Sequence, residues 1–271
     1  MTKKIVLVGG GNMGEALVAG LIRSGHWKPS QITVCDVRHD QLANLQLRYK
    51  VKASADNRWA ARDASIILLA VKPQHMTHVL EDLGPVIRQT QLVLSIAAGI
   101  PTKLIEKFLA KRVPVIRIMP NTPALIGLGM AAIALGRAAE ESHEKLARGV
   151  METVGAVVTV AEKDMDAVTA VSGSGPAYVF YLAEAMRDAG VALGLAPHVA
   201  DVLVRQTVKG AGALLSQSHE EAHTLRQRVT SPGGTTEAAL KIMEKAKMRA
   251  IYSKALKRAA DRSRELSRAQ H

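Results

Sequence analysis

Residues 3–14 read KKIVLVGGGNMG and decide the fold, because a short apolar run (5–8) ends in the pattern Gly9-x-Gly11-x-x-Gly14. Apolar residues at helical spacing follow, so the stretch predicts a buried strand, a tight turn and a helix. Gly9 permits the bend, Gly11 lets the backbone approach a pyrophosphate, and Gly14 lets the helix pack against the strand. Since the helix N-terminus then faces the anion, we predict a dinucleotide-binding turn.

The next apolar run (31–37) bears on the type of dinucleotide. It delivers Asp36 about 20 residues after the last glycine, where an acidic side chain usually binds the ribose hydroxyls of NAD. Arg38 and His39 follow, and they could instead accept the 2′-phosphate of NADP. The loop therefore predicts a nicotinamide cofactor and leaves NAD and NADP as alternatives.

Composition narrows the class of protein. The 271 residues suffice for a nucleotide-binding domain and a second, smaller domain, and the single cysteine, Cys35, excludes an internal disulfide. We expect Cys35 to be a small buried residue. No stretch is long and apolar enough to span a membrane and no secretory segment precedes the first strand, so we expect a cytoplasmic protein.

The formal charge of +12 raises the question of a nucleic-acid partner. Aromatic residues make up only 3% of the chain and the basic residues are spread along it, with their densest cluster at 241–268. That spacing is typical of a solvated helix face, so we expect no nucleic-acid partner. Attraction of phosphate-bearing cofactors is a simpler use of the charge.

Strand and helix signals alternate through about residue 160, which predicts a doubly wound, Rossmann-type parallel sheet. The further apolar runs are 66–71, 92–96, 115–119 and 157–160. After Asp164 long runs rich in alanine, leucine and valine replace the strand signals. We therefore predict an α/β dinucleotide-binding domain over 1–162 and an all-helical dimerisation domain over 163–271.

The helical half contains a segment, 177–193, that is apolar nearly all round. A helix on the rim of a small domain does not tolerate this pattern in water. Such a helix usually packs against a partner subunit, so we predict a homodimer formed through this domain.

Four loops have compositions that packing does not explain. They are 70–73, 95–99, 119–124 and 229–237. The first three follow strands, at the edge where ligands enter an open α/β sheet, although plain turn chemistry is the alternative. The fourth, VTSPGGTTE, offers backbone amides and hydroxyls at a helix start near Glu237, which suits a small carboxylate. A capped helix start is its alternative interpretation.

Other catalytic patterns are missing from the sequence. His75 and His78 share a helix face but lack a third ligand nearby, so we predict surface residues and no metal site. The run 172–175, SGSG, superficially resembles the nucleophile elbow of hydrolases. It follows no predicted strand of the sheet, so we do not expect a hydrolase. No obvious general acid stands out in the helical half.

Six motifs stand in one order along the chain. They are GGGNMG (9–14), AVKP (70–73), SIAAG (95–99), MPNTPA (119–124), SGSGPAYVF (172–180) and TSPGGTTEA (230–238). Together they resemble the pyrroline-5-carboxylate reductase family, which catalyses the last step of proline biosynthesis. The resemblance runs along nearly the whole chain, whereas the glycine motif alone is shared with many dehydrogenases.

The resemblance implies a cofactor site built from several loops. Its residues would be Gly9, Gly10, Gly11, Asn12, Met13, Gly14, Asp36, Arg38, Asn57, Ala70, Val71, Lys72, Pro73, Ala97, Ala98 and Gly99. The glycine turn would hold the pyrophosphate, while Asp36, Arg38 and Asn57 would meet the adenosine end. The loops 70–73 and 97–99 would line the nicotinamide half. NADPH is the implied cofactor, with NADH as the alternative.

The resemblance also implies where the substrate, pyrroline-5-carboxylate, binds. Its carboxylate would lie in the loop of Ser231, Gly233, Gly234, Thr235 and Thr236, held by the last three amides and by the hydroxyls of Ser231 and Thr236. Thr236 would approach the ring nitrogen, so Thr236 and Ser231 are the implied catalytic residues. A protonated cyclic imine already accepts hydride at C5, so positioning would supply most of the catalysis.

Assembly and alternatives complete the prediction. Family members build this site across a dimer of helical domains, and larger rings such as decamers occur. Here Gln227 stands where the family usually has an acidic residue, and 247–249, Lys-Met-Arg, replaces a usual Gly-Phe-Arg. Another imine or β-hydroxyacid reductase is the alternative enzyme, and a cofactor-sensing module without turnover is the alternative from another class.

Overall fold

A computed structural model describes residues 3–110 and 112–268. The chain forms two compact units: the first extends to Ser174 and resumes at Ala259, and the second is Gly175–Arg258. Compact units defined by contacts need not coincide with functional domains. The boundaries 1–162 and 163–271 therefore stay a prediction.

The first unit is built on one eight-stranded sheet. Its strands are β1 (Ile5–Val8), β2 (Ile32–Cys35), β3 (Lys52–Ser54), β4 (Ile66–Leu69), β5 (Leu92–Ser95), β6 (Val115–Met119), β7 (Gly129–Leu135) and β8 (Gly155–Thr159). Their order is β3-β2-β1-β4-β5-β6-β7-β8, and β1 to β6 are parallel. The predicted α/β class with a doubly wound, mainly parallel sheet is confirmed.

One pair of strands departs from the parallel arrangement. β7 pairs with β6 in antiparallel orientation, and β8 then runs parallel to β7. The reversal has a local cause, because the segment between β6 and β7 is a short 3₁₀ helix, Thr122–Ile126, that ends at Gly127 with φ +77°. A parallel crossover needs a dozen or more residues, so this tight connection imposes a hairpin.

Both faces of the sheet are covered, as β1 shows. Ile5 and Leu7 lie in one hydrophobic core, whereas Val6 and Val8 lie in a second core on the other face. All four side chains are at most 2% exposed. A strand buried on both faces reads as a continuous apolar run, which is how residues 5–8 read in the sequence.

Among the described residues, seven α-helices lie wholly within the first unit and accompany the sheet. They are α1 (Asn12–Arg23), α2 (His39–Tyr49), α3 (Asn57–Arg62), α4 (Met76–Leu83), α5 (Thr102–Phe108), α6 (Glu141–Met151) and α7 (Met165–Val168). In α4 the apolar residues recur at helical spacing, and Met76, Val79, Leu80 and Leu83 are buried. A π-helical turn, Thr169–Gly173, follows α7 and contains the start of the SGSG motif.

The second unit consists of helices, as predicted. They are α8 (Gly175–Ala192), α9 (Pro197–Gln217), α10 (Ala222–Arg228), α11 (Thr235–Lys245) and the first half of α12 (Met248–Arg268). The last part of α12 belongs to the first unit. No residue of α8 is buried in the described chain, and Phe180 and Tyr181 are 61% and 74% exposed. An apolar helix left uncovered by its own chain is typical of a subunit interface.

Two observations concern membrane-spanning helices and metal-binding clusters. In the part of the chain that the structure describes, no helix is long and apolar enough to cross a membrane. Among the same residues, no group of three or more His, Cys, Asp or Glu side chains is placed to hold a metal ion. His75 and His78 are exposed, and Cys35 is fully buried.

Candidate functional site

The glycine turn lies at the point where the strand order reverses. β1 is flanked by β2 and β4, so the loops after β1 and β4 diverge to opposite sides of the sheet and leave a crevice between them. Gly9 follows β1 with φ +109°, and a Cβ there would lie 2.6 Å from the carbonyl oxygen of Ala70. Backbone conformation and close approach therefore both require glycine at position 9.

The second and third glycines meet different surroundings. A Cβ on Gly14 would lie 2.2 Å from the carbonyl oxygen of Gly9, which explains how glycine lets α1 approach the turn. A Cβ on Gly11 would find nothing within 4 Å. The folded chain therefore leaves open space beside Gly11, through which a ligand can approach the backbone closely.

The start of α1 has free hydrogen-bond donors. Gly11 is its N-cap and offers no side chain, and in the described residues no hydrogen bond uses the amides of Asn12, Met13 or Gly14. Amides at a helix N-terminus, together with the helix dipole, attract a phosphate group. The turn fits the pyrophosphate of a dinucleotide.

Asp36 lies beside the turn, and its carboxylate already has partners. Oδ2 accepts from the Gly10 amide at 2.8 Å, and Oδ1 accepts from the Arg38 amide at 2.9 Å and from Arg38 Nε at 3.2 Å. Partial burial raises the pKa of Asp36, but these bonds from Arg38 and Gly10 outweigh it and hold the pKa below its ordinary value. Asp36 is therefore a carboxylate at neutral pH.

Arg38 is the more accessible member of this pair. Its side chain is 55% exposed, whereas that of Asp36 is 9% exposed. A hydroxyl pair can reach only the remaining lone pairs of Asp36, while a 2′-phosphate could meet the exposed guanidinium. The geometry thus keeps both cofactor alternatives.

Two further residues complete this end of the site. Asn57 is the first residue of α3 and is half-buried, next to the N-cap Asp56. Gln41 was missed by sequence reasoning: its Nε2 donates to the Gly10 carbonyl oxygen at 2.6 Å and so braces the turn from α2. A polar residue in the first turn of the helix after β2 is the signal, but spacing does not reveal its target.

The loops assigned to the nicotinamide half follow β4 and β5. The Ala70 amide donates to the Val8 carbonyl at 2.7 Å, and the Ile96 amide donates to the Leu69 carbonyl at 3.1 Å. These bonds continue the ladder beyond the strands and bring the loops 70–73 and 95–99 to one edge of the sheet. Lys72 is exposed, Val71 and Pro73 are half-buried, and Ala98 is exposed between the buried Ala97 and Gly99.

The loop 119–124 has an internal role. Asn121 Oδ1 accepts from the Met130 amide at 2.8 Å, and its Nδ2 donates to the Ser172 carbonyl at 3.2 Å. A Cβ on Gly173 would lie 2.4 Å from Met119 Cε. The MPNTPA and SGSG motifs therefore join each other, which explains Asn121 and Gly173 by packing.

The proposed carboxylate loop starts α11 in the second unit. Gly234 is the N-cap, so Thr235 and Thr236 are the first two helical residues and the helix begins two residues earlier than expected. Gly233 has φ +71°, which favours glycine. Ser231 and Thr235 are exposed and Thr236 is half-buried.

Two amides of this loop, including that of Gly234, already have hydrogen-bond partners within the loop. The Gly234 amide closes a turn to the Ser231 carbonyl at 3.0 Å, and the Gly233 amide donates to Glu237 Oε2 at 2.8 Å. This hydrogen bond from Gly233, with the charge of Lys241, lowers the pKa of Glu237. Within the described residues no hydrogen bond uses the amides of Thr235 and Thr236, which remain available.

Sequence reasoning did not assign this function to Glu237. A glutamate three residues after an N-cap is the usual signature of a side chain that reaches back to the helix start. The capped helix start and the anion nest are therefore not exclusive alternatives, because the cap leaves Thr235 and Thr236 free.

Two family models match the chain. Residues 162–266 match pyrroline-5-carboxylate reductase dimerisation, and residues 4–99 match NADP oxidoreductase coenzyme F420-dependent. The first covers the helical half, including α8 and the loop before α11. The second covers the glycine turn and ends in the loop after β5.

Relatives and solved structures match the chain over nearly its full length. Pyrroline-5-carboxylate reductases of Synechocystis and Pseudomonas aeruginosa are 41% and 40% identical, covering 99% and 98% of this chain and 100% and 97% of their own. The solved structure of a Coxiella burnetii pyrroline-5-carboxylate reductase has a TM-score of 0.94 at 38% identity, covering 98% and 99%. A Plasmodium falciparum pyrroline carboxylate reductase with NADP bound has a TM-score of 0.86 at 28% identity, covering 98% of each chain.

Proposed function

The chain belongs to the pyrroline-5-carboxylate reductase family, and we propose that it reduces L-1-pyrroline-5-carboxylate to L-proline, the last step of proline biosynthesis. One structural observation carries the redox half of this proposal. Gly11 borders open space in the folded chain, and it stands before three free amides at the start of α1. A closely bound pyrophosphate accounts for both facts.

The cofactor is a nicotinamide dinucleotide, NADPH with NADH as the alternative. When bound, it supplies the hydride that C5 of the cyclic imine accepts. Asn12, Met13 and Gly14 hold the pyrophosphate by their amides, and Asp36, Arg38 and Asn57 meet the adenosine end. The nicotinamide half lies along the loops 70–73 and 97–99.

The substrate carboxylate binds at the start of α11. The free amides of Thr235 and Thr236 and the hydroxyls of Ser231 and Thr236 donate to its oxygens. Gly233 and Gly234 contribute shape rather than amides, because theirs are engaged within the loop. The helix dipole adds favourable charge at this place.

Catalysis is then mainly a matter of orientation. The substrate is an electrophile once its ring nitrogen is protonated, so the protein has to align C5, exclude water and favour the iminium. The Thr236 hydroxyl donates to the carboxylate and accepts from the protonated ring nitrogen, while the Thr236 amide donates to the carboxylate. This division of roles explains a site without a paired acid and base.

The assembly follows from the helical half. The match to a dimerisation family supports a homo-oligomer, and the uncovered apolar α8 supports a dimer formed through the second unit. We propose a homodimer, and a ring of such dimers as a larger assembly. We also place the enzyme in the cytoplasm.

The test is oxidation of NADPH, and separately of NADH, followed by absorbance with pyrroline-5-carboxylate as substrate. Rapid oxidation with L-proline as the only amino acid formed supports the proposal and ranks the two cofactors. Folded protein that binds a cofactor but oxidises none with this imine contradicts it. Panels of other cyclic imines and of β-hydroxyacids, the latter with the oxidised cofactor, then separate the alternative reductases from a sensing role.

A further inference from the structure

A buried arginine in the first unit is not used by the proposed reaction. Arg117 lies in the middle of β6 and is 5% exposed. Its Nη1 lies 3.7 Å from Glu162 Oε1, in the 3₁₀ helix after β8. Burial lowers the pKa of Arg117, opposed by the charges of Glu162 and Asp166. A charge so deeply buried is retained only with ionic partners.

Glu162 links Arg117 to the start of α5, because its carboxylate also contacts Thr102. Its Oε1 accepts from the Thr102 amide and its Oε2 accepts from the Thr102 hydroxyl, both at 2.6 Å. Thr102 is the first residue of α5 and is 4% exposed. The carboxylate therefore binds both donors of one residue, in the favourable position at a helix N-terminus.

Thr102 marks the end of the loop assigned to the nicotinamide. That loop leaves β5 at Ser95 and reaches α5 through Ala97, Gly99 and Pro101. Gly99 has φ +74°, a conformation that favours glycine. The bond between Ile96 and Leu69 fixes the entry of the loop, and the Glu162 bonds fix its exit.

The end of α12 supports the same loop from another side. Ser263 is 5% exposed, and its hydroxyl donates to Asp166 Oδ1 at 2.7 Å. One turn further on, a Cβ on Gly99 would lie 3.6 Å from the Ser267 amide nitrogen. The charges of Asp166 and Glu162 both act on Arg117. The contact of Glu162 with Thr102 and the contact of Asp166 with Ser263 therefore involve the same buried cation.

We propose that Thr102 and Glu162, held by Arg117, are positioning residues that fix the nicotinamide loop 97–99 without touching the cofactor. The inference rests on the proposed function, because that function places the nicotinamide half against this loop. Loss of the Thr102 hydroxyl loosens the exit of the loop while leaving the glycine turn and Asp36 untouched. Hydride transfer then suffers and binding of the adenosine end does not.

The test separates the two halves of the cofactor in the Thr102→Val variant. Binding of 2′-phospho-ADP-ribose and of ADP-ribose, which lack nicotinamide, is measured by calorimetry on the full-length protein. The rate of hydride transfer at saturating NADPH, or NADH where that binds better, is measured in single turnovers. We expect fragment binding within about twofold of wild type and a rate lower by roughly 3- to 30-fold, the range for residues that act through a network. Thr102→Ser restores the hydroxyl and should recover most of the rate.

Thr159→Val is the matched control. Thr159 lies at the exposed end of β8, and its hydroxyl donates to Glu144 at 2.6 Å. The variant therefore also removes a threonine hydroxyl that donates to a glutamate. Its hydride-transfer rate should equal that of wild type. If Thr102→Val does not fold, Glu162→Gln tests the same contact, since it keeps the side-chain shape and loses one of the two acceptors.

The outcomes are distinguishable. An unchanged rate in Thr102→Val, or fragment binding that weakens as much as the rate falls, overturns the positioning role. Failure of Thr102→Ser to recover the rate also counts against it. Wild-type protein that binds no fragment and turns over no substrate would instead refute the proposed function.

Discussion

Substitution of Gly11 by alanine should separate cofactor binding from folding. Gly11 has φ −68° and ψ −175°, an extended conformation that alanine adopts without strain, and its Cβ would meet no protein atom within 4 Å. Alanine restricts the unfolded chain, which favours folding by about 0.4–1 kcal/mol. Gly11 is also the N-cap of α1, where alanine is less favourable than glycine by a similar amount, so we expect the free energy of unfolding of Gly11→Ala to stay within about 1 kcal/mol of wild type.

Cofactor affinity, in contrast, should fall clearly in Gly11→Ala. The added methyl group occupies the space through which the pyrophosphate approaches the amides of Asn12 and Met13. We expect the dissociation constant for NADPH to rise at least about tenfold, which is about 1.4 kcal/mol. Thermal unfolding without cofactor and a fluorescence titration with NADPH measure the two effects on the same samples.

Two further glycine variants serve as controls. Gly149→Ala lies inside α6, where a Cβ also meets nothing, so it should stabilise the helix by about 1 kcal/mol and leave NADPH binding unchanged. Gly14→Ala places its Cβ 2.2 Å from the Gly9 carbonyl oxygen and should destabilise the fold by about 1–3 kcal/mol. Normal NADPH binding by Gly11→Ala, or a loss of stability in it as large as that of Gly14→Ala, would refute the reasoning.

Experiments at four other residues test separate parts of the structure. Thr236→Ala should lower kcat/KM for the imine about tenfold while NADPH affinity stays constant, and Thr236→Ser should retain activity; weaker cofactor binding would contradict the loop assignment. Asp36→Ala should change the ratio of kcat/KM for NADPH and NADH, and an unchanged ratio would mean that Asp36 does not read the ribose. Asp36 should also contribute stability that is complete above about pH 4 and is lost as the pH falls below its depressed pKa, so denaturant unfolding of wild type and Asp36→Asn should converge there. Lys247 has φ +54°, at the position where the family usually has glycine, so Lys247→Gly should raise stability by about 1 kcal/mol in a denaturant titration, whereas a loss would show that the lysine has a compensating contact. Burial raises the pKa of Cys35 to about 12, so iodoacetamide at pH 8 should modify it, by mass spectrometry, only after unfolding; rapid labelling of the native protein would contradict the buried position.

The parts of the fold that the sequence revealed are those with strong local signals. The run 5–8 is apolar on both faces, and the glycine spacing after it requires one particular turn. β7 was missed because its sequence, GMAAIAL, is rich in alanine and glycine, which have low strand propensity. β3 was missed because it has only three residues and faces solvent in part.

The site was predictable at the level of loops and less so at the level of atoms. Composition identified the loop before α11, but the number of free amides depended on Glu237, whose carboxylate occupies one of them. Arg117 reads in the sequence as one polar residue in an apolar strand. Its partner Glu162 lies in a distant segment, and only the folded sheet brings the two together.

The return of α12 to the first unit has a consequence for the order in which the molecule is completed. The Asp166 carboxylate receives its hydrogen bond from Ser263, which lies 97 residues later in the chain. A ribosome adds roughly 5–20 residues per second, so this partner is synthesised about 5–20 s after Asp166. During that interval the nascent sheet already carries its glycine turn, while the serine that completes the contact with Asp166 has yet to be made.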